Sequence, residues 1–409
     1  MSPASTLITN IGELSTQDYA QGPEASVLRD AAVVFEGERI SWIGAAADAP
    51  AADEAVDAAG RAGLPGWVDS HTHLVFAGDR SAEFEARMAG ESYAAGGIAV
   101  TTAATRAASD YDLTRLLLAR VAEAAAGGTT YLETKTGYGL SVDEEQRSAR
   151  IASTVADQVT YLGAHLVPDG VDAEEYTDLV CTAMLTAVRP YVQWADVFCE
   201  KGAFTEEQSR RVLAACRDAG LGLRVHGNQL GYGAGVALAV EFSAASVDHV
   251  NYLSDDDVAA LAGTWTRCGP GGSGTPGTVA TCLPACDLST RAPLADARWL
   301  LDSGVPVALA SNANPGTSYT SSMNFCVATA VLQMGLTVQE AVRAATFGGA
   351  LALRVHTGED RDGQRAVGSL AVGHRADLQL LNAPSAAHLA YRPGMPLTGS
   401  VWRAGARVR

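Results

Sequence analysis

Short apolar, β-branched runs return along this chain at intervals of about 30 residues, with stretches of helical period between them, and that alternation limits the fold more than any other feature. Eight such runs lie at residues 64–70, 129–133, 159–164, 194–199, 222–225, 246–250, 279–283 and 305–310. Runs that lack polar alternation suit parallel strands covered on both faces. Two of the intervening helical segments stop at glycine: residues 113–126 run into Gly127-Gly128, and residues 206–219 into Gly220. Thr205-Glu206-Glu207-Gln208 and Thr337-Val338-Gln339-Glu340 have the spacing of capping boxes. The pattern predicts an α/β fold, a (β/α)8 barrel over residues 61–365, with an open doubly wound sheet as the alternative.

The two ends read differently. Residues 31–36 and 39–44 are strand-like and joined by a glycine-containing turn, which predicts a hairpin. Strand-like pieces return at residues 376–381 and 400–403, so residues 1–60 and 366–409 are expected to form one small β domain. The Gly/Pro-rich segment 267–277 is expected to be a flexible loop.

Composition narrows the function classes. A hydrophobic fraction of 47% supports a large core, yet no apolar run reaches the roughly 18 residues of a membrane span. The first residues show no basic region followed by an apolar stretch, so a cytoplasmic location is expected. Seven cysteines scattered over 409 residues read as reduced, buried thiols. A net charge of -17 argues against a nucleic-acid partner and leaves a small molecule as the expected one.

Barrel enzymes carry their chemistry at the C-terminal ends of the strands. There this chain places His71 and His73, Glu133 and Lys135, His165, His226, Asp248-His249 and Asn312, which accounts for five of its eight histidines. In an extended segment, residues two apart point to the same side, so His71-Thr72-His73 has the spacing to grip one metal ion. Five histidines converging on one mouth suit a metal centre with supporting donors.

Pro65-Gly66-Trp67-Val68-Asp69-Ser70-His71-Thr72-His73 resembles the opening metal motif of the amidohydrolase superfamily. Those proteins are metal-dependent hydrolases on a distorted barrel with a flanking β-sandwich, here expected from the N- and C-terminal segments. Several segments are similar to the imidazolonepropionase family within it. They are His71-Thr72-His73-Leu74-Val75-Phe76-Ala77-Gly78-Asp79-Arg80, Glu133-Thr134-Lys135-Thr136-Gly137-Tyr138-Gly139-Leu140, Leu162-Gly163-Ala164-His165, Asp196-Val197-Phe198-Cys199-Glu200-Lys201-Gly202 and Asn314-Pro315-Gly316-Thr317-Ser318. The resemblance implies hydrolysis of the ring amide of 4-imidazolone-5-propanoate to N-formimidoyl-L-glutamate in histidine breakdown, by a homodimer. It also implies one divalent or trivalent transition metal, zinc first and iron as the alternative, on His71, His73, His226 and the residue at position 312.

By the same resemblance, Arg80 and Tyr138 contact the substrate, with Asn314, Gly316 and Thr317 helping to hold it. A guanidinium suits the propanoate tail because it binds carboxylate with two parallel hydrogen bonds. Tyr93 is a further candidate for that tail, and His165 or His249 for stabilising the oxyanion. Two positions depart from the family pattern. Asn312 stands where the family has an aspartate that ligates the metal and takes a proton, and His226-Gly227-Asn228-Gln229 stands where much of it reads His-Ala-Asp-Glu. Neither Asn312 nor Gln229 can act as a base, and loss of a general base typically lowers a rate by about 10² to 10⁴. The alternatives are another cyclic amidase or deaminase of the superfamily, or a catalytically retired metabolite-binding protein.

Overall fold

The computed structural model describes residues 4–20, 22, 26–90, 97–265, 276–358 and 365–409. Tyr93, and the loop expected at 267–277 except its last two residues, lie outside them. Two eight-stranded sheets account for the strands described. The first is mixed. Strand β2 (Val27–Glu36) runs antiparallel to both β1 (Ser5–Ser15) and β3 (Arg39–Ala45), and the β2–β3 turn is the expected hairpin. Strands β4 (Glu54–Asp57) and β5 (Ala62–Pro65) both lie parallel to β1. The second sheet takes up the chain from β6 (Trp67–Asp69) to β13 (Val307–Leu309), and the first is completed by β14 (Leu378–Leu381), β15 (Thr398–Arg403) and β16 (Ala406–Arg407). N- and C-terminal segments thus share one sheet, with β14 antiparallel to β5. Ile8, Ile11, Leu14, Val33, Phe35, Leu378, Leu380 and Trp402 form its apolar core.

The second sheet has its strands in unbroken chain order: β6, β7 (Thr129–Lys135), β8 (Gln158–Ala164), β9 (Trp194–Cys199), β10 (Gly222–Gly227), β11 (Ser246–His249), β12 (Val279–Cys282) and β13 (Val307–Leu309). The pairings described within it are parallel. The run begins to close on itself just beyond the strands, where Thr72 bridges Ala313 in parallel. This is the expected barrel plan. Helices separate the strands, among them Asp110–Ala126, Val142–Ala152, Glu206–Asp218 and Gly235–Glu241. Both expected capping boxes are formed, Thr205 with Gln208 and Thr337 with Glu340.

One expected strand is two. The run at 64–70 changes sheets at Pro65-Gly66, so its first residues belong to β5 and its last to β6. Gly66 N donates to Asp377 O at 3.2 Å, whereas Trp67 N donates to Gly128 O at 2.9 Å. A side chain at residue 66 would meet Thr130 Oγ1 at 2.1 Å, so only glycine fits this crossing.

The chain divides into two compact units, Met1–Asp69 with Glu123–Tyr131 and Ser322–Arg409, and Ser70–Ala122 with Leu132–Ser321. Every site residue discussed below belongs to the second unit. No helix among the described residues is long and apolar enough to cross a membrane.

Candidate active site

The backbone on either side of His71-Thr72-His73 fixes where its rings point. Lys135 N donates to Thr72 O at 2.8 Å, Asn312 N to His71 O at 3.0 Å and His73 N to Ala313 O at 2.9 Å. The segment is therefore extended between the ends of β7 and β13, and its alternate residues face the same way. His71 Nε2 and His73 Nε2 come within 3.2 Å of each other. His226, near the end of β10, brings its ring centroid to 4.5 Å from that of His71 and 5.5 Å from that of His73.

Beneath these rings lies a layer of charge. His71 Nδ1–H donates to Asp248 Oδ2 at 2.6 Å, and Asp196 Oδ2 lies 3.0 Å from His226 Nδ1. Carboxylates on the Nδ1 side leave Nε2 of each ring for another partner, and His226 Nε2 is buried without one. The Lys135 ammonium ties the layer together, 3.0 Å from both Glu133 Oε1 and Asp196 Oδ2 and 3.9 Å from Asp248 Oδ2. Burial alone would raise both aspartates. Neighbouring groups outweigh it, the His226 ring and the Lys135 ammonium at Asp196 and Lys135 with Arg224 at Asp248, and hold both carboxyls below the usual range.

Burial, reinforced by neighbouring cationic groups, holds His71, His73 and His249 well below the ordinary imidazole value. All three are neutral rings able to ligate. Donor atoms of His71, His226 and His249 lie within 4.8 Å of one another, and Asn312 Oδ1 is a further buried oxygen without a hydrogen-bond partner. Zinc bonds of about 2.0–2.3 Å place tetrahedral donors about 3.3–3.8 Å apart. The converging imidazoles and the orphaned nitrogen and oxygen atoms fit a divalent metal ion.

A pocket of about 390 Å³ opens beside these residues. His73, Arg80, Tyr138, His165, His226, Gln229, His249, Asn312, Asn314 and Thr317 all line it. His165 Nδ1–H donates to Gly137 O at 2.8 Å, which makes Nε2 an acceptor in the neutral ring. Burial brings His165 down to about 4, so at neutral pH it accepts a hydrogen bond and does not donate one to an oxyanion. Gly137 itself has φ +110°, and a side chain there would meet His165 Nδ1 at 2.9 Å. Its turn is built on Glu145, whose buried carboxylate accepts N–H bonds from Gly137, Gly139 and Leu140 at 3.0, 2.7 and 2.9 Å.

Arg80 is buried and forked onto Glu83, with Nε and Nη2 at 2.8 and 2.7 Å from the two carboxylate oxygens. Its Nη1 lies on the Gly316 side, where a Cβ would come within 2.3 Å of it. Asn314 spends its amide on its own loop. It donates to Asn312 O and Thr317 Oγ1 at 2.7 and 2.8 Å and accepts from Gly316 N and Thr317 N, both at 2.8 Å. Gly316 O in turn accepts from Arg87 at 2.9 Å.

Lys135 and Asp248 were expected at strand ends, and Asp196 lies within β9; only their distances reveal that they orient histidines. Glu145 sits in a helix with nothing in the sequence to mark it. Cys286 and Asp287 give donor atoms within 4.8 Å of His249. Burial pushes the Asp287 carboxyl up to about 7 and the Cys286 thiol up to about 12.

A run of parallel strands that begins to close on itself, with carboxylate-backed histidines at its C-terminal ends, defines an amidohydrolase, and the Amidohydrolase family model matches residues 198–396. Imidazolonepropionase of Arthrobacter sp. (strain FB24) is 77% identical over 99% of this chain and 100% of its own length. That of Paenarthrobacter aurescens (strain TC1) is 76% identical over 99% and 98%, and that of Micrococcus luteus 68% identical over 99% of both chains. The chain belongs to the imidazolonepropionase family. Solved structures share the fold: an adenosine deaminase from Xanthomonas campestris with bound zinc has TM-score 0.70 at 18% identity, covering 99% of this chain and 93% of that one. Ochratoxinase of A. niger has TM-score 0.68 at 17% identity, covering 100% and 96%.

Proposed function

We propose that this chain opens the ring of 4-imidazolone-5-propanoate with water, giving N-formimidoyl-L-glutamate in histidine catabolism. The observation that carries this reading is the near full-length likeness, at 77% identity, to an imidazolonepropionase. His71, His73 and His226, with Asn312 Oδ1 as the neutral fourth donor, would hold one transition-metal ion, zinc first and iron as the alternative. When bound, such an ion lowers the pKa of water toward neutrality and polarises a carbonyl.

The chain's own groups supply the rest. Asp248 and Asp196 hold the imidazoles with Nε2 forward. Arg80, with Nη1 not engaged by Glu83, offers the propanoate tail a cation inside a buried wall, and Tyr138 and Thr317 complete that wall. Asn312 and Gln229 orient water or substrate by hydrogen bonds and take no proton. The proton lost by the attacking water then goes to the neutral His165 imidazole at Nε2, and from there to the ring nitrogen as the C–N bond breaks. The same reading has a cytoplasmic homodimer, which sedimentation equilibrium tests.

Turnover decides the reading. Metal-replete protein is expected to consume 4-imidazolone-5-propanoate with formation of N-formimidoyl-L-glutamate, and His226→Ala to lose both bound metal and activity. No product from the wild-type chain or from Asn312→Asp, each with metal bound, would sink it.

A further inference from the structure

We propose that His249, Cys286 and Asp287 form a second cation site, adjoining the His71, His73 and His226 centre and suited to a thiophilic divalent ion of the zinc class. Cys286 and Asp287 are consecutive residues of the helix Pro284–Thr290, which leaves β12 and brings both inward beside His249. One nitrogen, one sulfur and one oxygen from the three lie within 4.8 Å of one another, and all three residues are buried. The spacing of about 3.3–3.8 Å that a tetrahedral zinc requires lies inside that limit, and the donor set is one that hard ions such as magnesium and calcium do not favour.

Two unmet valences point at a ligand. Asp287 Oδ2 and His249 Nδ1 are buried without a hydrogen-bond partner, at 1% and 2% residue exposure. A buried carboxylate oxygen with nothing to accept from is costly, and a cation resolves that cost at once. The sulfur has a matching environment. Gln229 Nε2 lies 3.8 Å from Cys286 Sγ, and the side chains of Asn312 and Thr317 also hydrogen-bond the thiol. A carboxylate at 229 or 312 would repel a thiolate in that place, whereas an amide N–H donates to it. The two amides that depart from the family pattern are thus both neighbours of Cys286.

The site rests on these side chains and not on the substrate assigned above, so its test reads metal and not turnover. Full-length protein is stripped with chelator and titrated with Co²⁺, with bound metal counted per chain and thiolate-to-cobalt charge transfer followed in the near ultraviolet. Two equivalents and a charge-transfer band are expected. Cys286→Ser and Asp287→Asn should each drop the count to one, and Cys286→Ser should abolish the band, while Cys282→Ser keeps both equivalents and the band. His71→Ala should remove the other equivalent and leave the band in place. A single equivalent in the wild-type chain, or a band that survives Cys286→Ser, overturns the proposal. Both outcomes are independent of whether imidazolone propanoate is hydrolysed.

Discussion

Asp248 shows how much a single buried carboxylate governs at the residue scale. Its 2.6 Å bond from His71 Nδ1–H fixes the tautomer that frees Nε2, and it also faces the Lys135 ammonium. Asp248→Asn removes the charge and disturbs that tautomer, so metal affinity should fall by about 10- to 100-fold, measured by competition with a chromogenic chelator. Unchanged affinity would mean that His71 does not ligate. The histidines themselves were legible in the sequence because spacing and strand ends are one-dimensional signals. Asp248 and Asp196 were half legible, since their place on strands could be counted but their partners could not. Asp287 was invisible: an aspartate at the start of a helix ordinarily faces water, and only the packing of that helix against the barrel turns this one inward. Asn312 and Gln229 were readable as departures from a pattern. Their common neighbour, Cys286, was not.

At the scale of elements, the site depends on how closely helix Gly235–Glu241 lies against β10. A Cβ at Gly227 would meet Gly235 Cα at 2.7 Å, and one at Gly235 would meet Gly227 Cα at 2.4 Å. Two glycines facing each other put the helix a side chain's width nearer the strand that carries His226. Gly235→Ala must move one or the other, so a loss of about 1–3 kcal/mol in urea unfolding is expected, together with weaker metal binding. Stability lost with full metal affinity would show that β10 holds its register without the contact. Strand ends near the metal centre are also bent out of ordinary backbone: Asn228, His249, Val250 and Asn312 have φ of +57°, +83°, +52° and +51°. Left-handed conformations are costly for residues other than glycine, above all for β-branched Val250, and they persist where surrounding contacts enforce them. Periodicity located these strands to within a residue or two. It could not show that 64–70 divides between two sheets, because an apolar run looks the same whichever sheet receives it.

For the whole molecule, the burial of so many titratable rings makes stability a function of pH. His71, His73, His165 and His249 all have folded-state values below the ordinary 6.5, and for His165 the folded value is about 4. Between these limits the unfolded chain binds protons that the folded chain refuses, so stability falls as the pH drops from about 6.5 toward 4. A tenfold difference in proton affinity between the two states corresponds to about 1.4 kcal/mol per group. Asp287 works in the opposite direction, since burial lets the folded chain keep its proton up to about 7 while the unfolded chain releases it near 4. His356 and His374 act with the four histidines, and burial raises Glu145 and Glu200 as it does Asp287, so six such imidazoles stand against three such carboxyls. Metal-free protein should therefore hold a steady urea midpoint from pH 8 to 7 and lose stability progressively from pH 6.5 to 5. Asp287→Asn, which removes one opposing group, should make the decline steeper. Added metal should shift the decline to lower pH, because only neutral imidazoles ligate and the ion competes with protons for them. A midpoint that stays level or rises on acidification would show that the buried histidines are not kept neutral by the fold.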